Sequence, residues 1–347
     1  MKKVRVGVLG AASLTSETLI RFLIGHPSVE ITSLNSDTFP GEKVEKAHPI
    51  FKNFNLPDLS EFDPNKMKKD CDLVFSAKPP KHGFFYISQL LERGVKVIDL
   101  SADFRLKDPE IYFKFYNRKH EKPELLKEAV YGMPELYLDK IKTADLIANP
   151  GCYPTGIILG CAPLLKEKLV SPPNIIINAI SGASGAGRTD KGRNLFLDIH
   201  SNILPYQWGT HPHTGEIEQE LFRLYGEPVS IFFTPNVGPF EHGIVTYIYL
   251  SLKDKRIDDK ALYLKYKKFY QGKSFVRVFS PDEDLPQVKN IIDSNFCDIG
   301  IRFDKKTKTC VIVTVIDNEV KGAGGQAIQN MNIRFGFDET DGLRFKV

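Results

Sequence analysis

The sequence predicts an α/β protein: a parallel sheet with helices on both faces, followed by a second region with longer strands. Three observations predict it. The first third alternates short apolar runs with amphipathic stretches, a glycine-bearing turn follows the first run, and the apolar runs lengthen after about residue 150. The chain has 347 residues, and a single core rarely grows past about 250–300, so two domains are expected.

Val4–Leu9 reads as a buried strand, residues 15–24 as a helix, and residues 30–33 as a second strand. Residues 72–76 form another strand, 83–93 a helix and 95–100 a further strand. Strands spaced by helices imply right-handed crossovers and parallel pairing. Beyond residue 150 a helix is expected over 154–169. Strands follow at 174–180, 229–233, 243–252, 275–279 and 310–316, which suit an antiparallel sheet. A last helix begins near Gly322 and runs through Gln329.

Composition excludes several function classes. Hydrophobic residues make up 42% and the net charge is only +4, without a Lys/Arg block, so no nucleic-acid partner is expected. Val4–Leu9 is too short for a signal core or a membrane span, and no later apolar run is long enough. The five cysteines are scattered, odd in number and without CxxC spacing, which argues against a disulfide framework or a thiolate zinc site. A cytoplasmic, membrane-free protein without a metal is expected.

The first chemical signal is Gly7-Val8-Leu9-Gly10-Ala11-Ala12-Ser13-Leu14-Thr15-Ser16. A glycine turn between a first strand and a helix lets backbone N–H groups approach a pyrophosphate, and the helix dipole favours the anion. The alternative is a plain structural turn. Asp37, after the second strand, can accept from a ribose 2′-hydroxyl and would repel a 2′-phosphate; otherwise it caps an exposed turn.

The second is Asn149-Pro150-Gly151-Cys152-Tyr153-Pro154-Thr155. Pro150 and Gly151 break a strand, and Pro154 suits the first turn of a helix. Cys152 is thereby placed just before a helix amino terminus, where dipole and unpaired N–H groups favour thiolate. Burial is the commoner fate of cysteine; Cys161, on an apolar helical stretch, fits it, and Cys152 does not. A thiolate nucleophile needs an acid/base partner, and Thr210-His211-Pro212-His213-Thr214 offers two imidazoles leading into a helix, with His242 a third candidate. Metal ligation by the histidine pair lacks a completing cluster. Ser181-Gly182-Ala183-Ser184-Gly185-Ala186-Gly187-Arg188 can cradle an anion, with Arg188 adding a planar fork of donors; the alternative is a surface loop without function.

These segments, with Ile98-Asp99-Leu100-Ser101-Ala102-Asp103-Phe104-Arg105, Asn295–Gly300 and Asp317–Asn332, resemble the N-acetyl-gamma-glutamyl-phosphate reductases of the semialdehyde dehydrogenase superfamily over nearly the whole chain. The resemblance implies a Rossmann-type domain (1–148 and 318–347) and a mixed α+β domain (149–317) for catalysis and oligomer contacts, in a homodimer or homotetramer. It implies that Cys152 attacks an acyl phosphate in arginine biosynthesis and that His211 moves protons. It further implies substrate contacts at Arg105, Ser181, Arg188, His213 and His242. Dinucleotide contacts are implied at Gly10, Ser13, Leu14, Thr15, Ser16, Ser36, Asp37, Pro79, Gly182, Asn318 and Gly322, with NADP the usual cofactor.

The chain also departs from the family. Ser13 and Ser16 stand where glycines are typical, Asp37 where an arginine is common, Pro79-Pro80-Lys81 in place of Pro-His-Gly, and His242 in place of an arginine. These departures admit NAD as cofactor, with Ser13 and Ser16 able to donate hydrogen bonds to a pyrophosphate. They also leave two other readings, a reductase of a carrier-protein-bound aminoadipyl phosphate in lysine biosynthesis and a catalytically silent paralogue.

Overall fold

The computed structural model describes residues 3–171, 174–186, 198–254 and 256–343. The contacts divide the chain into two compact units: residues up to Gly151 together with those from Ala323 onward, and Cys152–Gly322.

The first unit contains β1 (Val4–Leu9), α1 (Leu14–Ile24), β2 (Val29–Asn35), β3 (Leu59–Ser60), α2 (Pro64–Asp70), β4 (Leu73–Ser76), α3 (Gly83–Glu92), β5 (Lys96–Asp99), α4 (Pro109–Tyr116), α5 (Leu125–Glu128), β6 (Val130–Tyr131), α6 (Pro134–Ile141) and β7 (Leu146–Ala148). Its strands order as β3-β2-β1-β4-β5-β7-β6, and every pairing is parallel. Parallel strands covered on both faces read as continuous apolar runs, which is why Val6, Val8, Leu9, Leu73, Val74 and Phe75 are all buried. The order reverses between β1 and β4, so the carboxyl ends of those strands form the crevice where such sheets take ligands.

The second unit contains α7 (Cys152–Lys166), β8 (Asn174–Ser181), β9 (Leu204–Pro205), α8 (His213–Tyr225), β10 (Ser230–Val237), β11 (Ile244–Ser251), α9 (Asp259–Phe269), β12 (Val276–Val278), β13 (Cys297–Asp304) and β14 (Thr309–Ile316). Its sheet orders as β12-β13-β14-β11-β8-β10-β9. The sequence predicts an antiparallel sheet here; the sheet is mixed, because β8 and β10 pair parallel, as do β12 and β13. Each of those pairs is joined by a long connection, the first through α8, and a crossover returns a strand in the same direction.

Helix α7 starts two residues earlier than the proline predicts and takes in Cys152 as its first residue. The last helix also differs: a π-helical turn covers Val320–Gly324, and α10 (Gly325–Phe335) follows it into the first unit. No helix among the described residues is long and apolar enough to cross a membrane.

Candidate active site

In the second unit, the chain enters α7 at Cys152. A helix leaves its first N–H groups without intrahelical acceptors, so a side chain at this end sits in a field that favours negative charge. Cys152 is half-buried, whereas Cys71, Cys161, Cys297 and Cys310 are buried. Burial pushes the Cys71 thiol up to about 11 and the Cys310 thiol up to about 12, and raises Cys161 likewise. The backbone of Gly322 runs directly against the nucleophile candidate: a Cβ there would lie 2.8 Å from the Cβ of Cys152. Its N–H donates to the Asp317 carbonyl at 2.9 Å, which fixes the approach.

His211 lies on the turn before α8, and His213 is that helix's first residue. The rings of Tyr153, Tyr206 and Phe233 meet the His211 ring edge-on at centroid distances of 5.5, 5.7 and 5.5 Å. The His213 backbone N–H donates to His211 Nδ1 at 3.1 Å. Nδ1 is therefore an acceptor, and the proton of the neutral ring sits on Nε2. Burial, reinforced by His213 and opposed by Glu216, pushes His211 down to about 3. His211 is thus a neutral ring presenting an N–H donor. Tyr206, not anticipated from the sequence, has its hydroxyl 2.9 Å from that of Tyr153.

Around this cluster the Ser181–Ala186 loop is stitched to the 238–243 turn. Gly182 donates to the Gly243 carbonyl at 2.8 Å, and Gly238 to the Ser181 carbonyl at 2.8 Å. Ser181 is buried, with its hydroxyl directed to the Gly182 carbonyl at 3.0 Å. Asn318 accepts from Gly243 N at 2.6 Å and donates to Ser184 Oγ at 2.9 Å, so its amide clamps both loops. His242, a third exposed, has Nε2 3.3 Å from Glu241. Arg188 lies outside the described residues. Among those residues no cluster of three or more His, Cys, Asp or Glu could hold a metal.

In the first unit, Gly10 turns at φ +74°, and a Cβ there would come within 2.8 Å of the Ala77 carbonyl oxygen. Only glycine fits that turn. Ser13 caps α1, its Oγ accepting from Ser16 N at 3.2 Å. The Ser16 hydroxyl donates to the Gly10 carbonyl at 2.9 Å and lies 2.9 Å from Ser13 Oγ. Ser16 is fully buried and spends its hydroxyl proton on the Gly10 carbonyl, so it does not face a pyrophosphate; Ser13 is half-buried and its hydroxyl accepts from Ser16 N, which leaves its own proton as the donor expected from the sequence. Beside it, the backbone N–H groups at the half-buried Leu14 and Thr15 in the first helical turn are further anion donors. His48 braces the turn from below: Nε2 is 2.8 Å from the Ala11 carbonyl and Nδ1 2.8 Å from Glu17.

Ser36 is buried and takes the turn-capping job considered for Asp37, its Oγ accepting from Thr38 N and Phe39 N at 3.2 Å each. Asp37 is held by Lys78 Nζ at 2.6 Å. Pro79 is exposed, on a loop pinned by the Asp103 carboxylate, which accepts from Lys81 N and Gly83 N. Arg105, expected as an anion contact, is buried. Its Nε donates to the Asn149 carbonyl and one terminal nitrogen to the Leu100 carbonyl, each at 2.7 Å, so it shapes the strand end before Cys152.

A dinucleotide fits this crevice on two observations. Gly10 makes a cradle that a side chain would fill, and the buried Asn35 Oδ1 and Ser76 Oγ, at the carboxyl ends of β2 and β4, have no hydrogen-bond partner among the described residues.

Residues 5–144 match the semialdehyde dehydrogenase NAD-binding domain, and residues 152–318 the dimerisation domain of the same family. N-acetyl-gamma-glutamyl-phosphate reductase from Geotalea daltonii is 46% identical over 98% of this chain and 97% of its own length. The protein of that name from Campylobacter jejuni is 42% identical over 99% and 98%. Among solved structures, aspartate semialdehyde dehydrogenase II from Vibrio cholerae aligns at TM-score 0.72 with 17% identity, covering 97% of this chain and 99% of that one. Aspartate semialdehyde dehydrogenase with NADP from Candida albicans aligns at 0.71 with 19% identity, over 96% and 98%.

Proposed function

Because the chain belongs to the N-acetyl-gamma-glutamyl-phosphate reductases of the semialdehyde dehydrogenase family, we propose that it reduces N-acetyl-glutamyl 5-phosphate to the 5-semialdehyde and phosphate in arginine biosynthesis. The observation that carries the catalytic assignment is the placement of one half-buried cysteine at the first position of a helix. Cys152 sulfur bonds to the acyl carbon, the carbon–oxygen bond to phosphate breaks, and a thioester remains on the enzyme. A reduced nicotinamide dinucleotide, when bound, supplies the hydride that takes this thioester to the aldehyde level. The carbon–sulfur bond then breaks, returning Cys152 as thiolate and releasing the aldehyde.

His211 acts in this scheme as a hydrogen-bond donor to the acyl oxygen as negative charge collects there. Its Nδ1 is occupied and its Nε2 already carries a proton, so it is not the base that ionises Cys152. The field of the α7 amino terminus serves that purpose. Ser181, His213 and His242 remain the candidate substrate contacts, with Arg188 a candidate on sequence alone. Gly182, Asn318 and Gly322 shape the loops beside Cys152. On the dinucleotide, the turn at Gly10, the N–H groups of Leu14 and Thr15, and Asp37 are the proposed contacts. The resemblance implies NADP, and Asp37 admits NAD. The carrier-bound and silent alternatives are not favoured, since the relatives carry the glutamyl-phosphate reductase name.

Phosphate-dependent oxidation of N-acetylglutamate semialdehyde, followed with each nicotinamide cofactor, tests the reading. Wild-type protein should turn over and Cys152→Ala should not; full turnover by the variant would overturn the assignment.

A further inference from the structure

Lys78 stands two residues beyond β4, where the chain leaves the sheet beside the Gly10 turn. Its side chain is only 4% exposed. Lysine is almost never buried so fully unless paired, because burying an unpaired ammonium costs several kcal/mol. The partner is Asp37, whose Oδ2 lies 2.6 Å from Nζ. Tyr86 completes the group: its hydroxyl donates to the same Oδ2 at 3.4 Å, and Nζ stands 4.3 Å above its ring. The carboxylate itself is 60% exposed. One oxygen is thus gripped from within the fold while the group as a whole faces solvent, past the end of β2 where a bound dinucleotide would place its adenosine ribose.

From this arrangement we infer that Lys78 is a specificity-determining residue for the dinucleotide: it holds Asp37 as acceptor for the ribose hydroxyls and thereby selects NADH over NADPH. The inference rests on the reductase reading above. A 2′-phosphate, carrying close to two negative charges, would meet the exposed carboxylate first. It could reach the ammonium only by displacing Asp37 from a short, charge-assisted bond. The chain therefore contains a cation near the ribose, as an NADP site requires, but keeps it covered by its own acid. Two roles follow for one pair. Asp37 reads the ribose, and Lys78 both orients Asp37 and is masked by it.

The test is a fluorescence titration of the whole protein, without substrate, with NADH and with NADPH. Wild type should bind NADH at least tenfold more tightly. Asp37→Ala should uncover Lys78, weakening NADH and strengthening NADPH each by about tenfold, so that the preference inverts. Adding Lys78→Met to that variant should abolish the NADPH gain. Asp37 is exposed enough that its replacement alone decides the matter if the double variant does not fold. Tighter NADPH binding by wild type, with the ratio unmoved in Asp37→Ala, would overturn the inference and leave the reductase reading standing. Failure of both dinucleotides to bind any form, with folding intact by circular dichroism, would overturn the reductase reading and this inference with it.

Discussion

Two atoms of one imidazole decide how the proposed catalysis divides its labour. His211 Nδ1 accepts a backbone N–H, and burial pushes the ring down to about 3, so it stays neutral through the physiological range. His211→Asn should therefore lower kcat about a hundredfold, the scale of one lost oxyanion donor. It should leave the iodoacetamide alkylation rate of Cys152 within about twofold of wild type if, as proposed, the α7 amino terminus and not His211 favours the thiolate. A tenfold slower alkylation in the variant would restore His211 as the activating base. The same ring sets a sign for stability against pH. Its folded-state value lies below the unfolded value of about 6.5, so only the unfolded chain takes up the proton between those limits. The His211 contribution is complete above pH 6.5 and falls as pH drops toward 3. The difference in urea midpoint between wild type and variant should be constant above pH 6.5 and shift against wild type as pH falls below it; a difference unchanged from about pH 7 to 4 would refute the assignment. Gly322 is judged on space alone. Alanine there would press to 2.8 Å from the Cys152 Cβ, so Gly322→Ala should cut turnover by two orders of magnitude or more. Initial rates decide it.

Elements made from local signals were legible in the sequence, and pairings between distant elements were not. The β1 run, the Gly10 turn, and a helix opening near Cys152 follow from neighbouring residues alone. Lys78 finds Asp37 across 41 positions, His48 finds Ala11 across 37, and Tyr206 finds Tyr153 across 53, with no spacing rule to announce any of them. Helix α10 shows the same limit. It is buried from Gly325 to Ile333, yet Gln326, Gln329, Asn330 and Asn332 are polar. Asn330 Nδ2 donates to the Gly132 carbonyl at 2.8 Å and to Asn149 Oδ1 at 3.1 Å, while Gln326 Nε2 donates to the same Gly132 carbonyl at 2.8 Å. Asn149 in turn donates to the Ala323 carbonyl at 3.0 Å. This network fixes the strand end three residues before Cys152. Asn330→Leu keeps the volume but strands an acceptor on Asn149, and should cost about 1–3 kcal/mol. Thermal and urea unfolding would measure it, and a variant as stable as wild type would show that the network does not support the helix.

At the scale of the whole molecule, the sheet of the second unit carries a row of apolar side chains that the other described residues leave exposed. Phe232, Ile176 and Tyr249 come from β10, β8 and β11 and sit at directly paired positions, so their side chains form one row across three strands. They are 54%, 54% and 37% exposed. An aromatic–aliphatic row of this kind in open water marks a contact surface. The match of residues 152–318 to a dimerisation domain supports a second copy of the chain as the occupant we propose for this row. A two-fold contact would bring the row against its own symmetry mate, burying apolar surface on both sides at once. Phe232→Glu places a carboxylate in that row twice per dimer. Because Phe232 packs outward, the substitution should leave the fold of each protomer intact, as read by far-UV circular dichroism. Light scattering should then report the monomer mass for the variant and a dimer or tetramer mass for wild type. An unchanged mass at micromolar protein would place the subunit contact on another face.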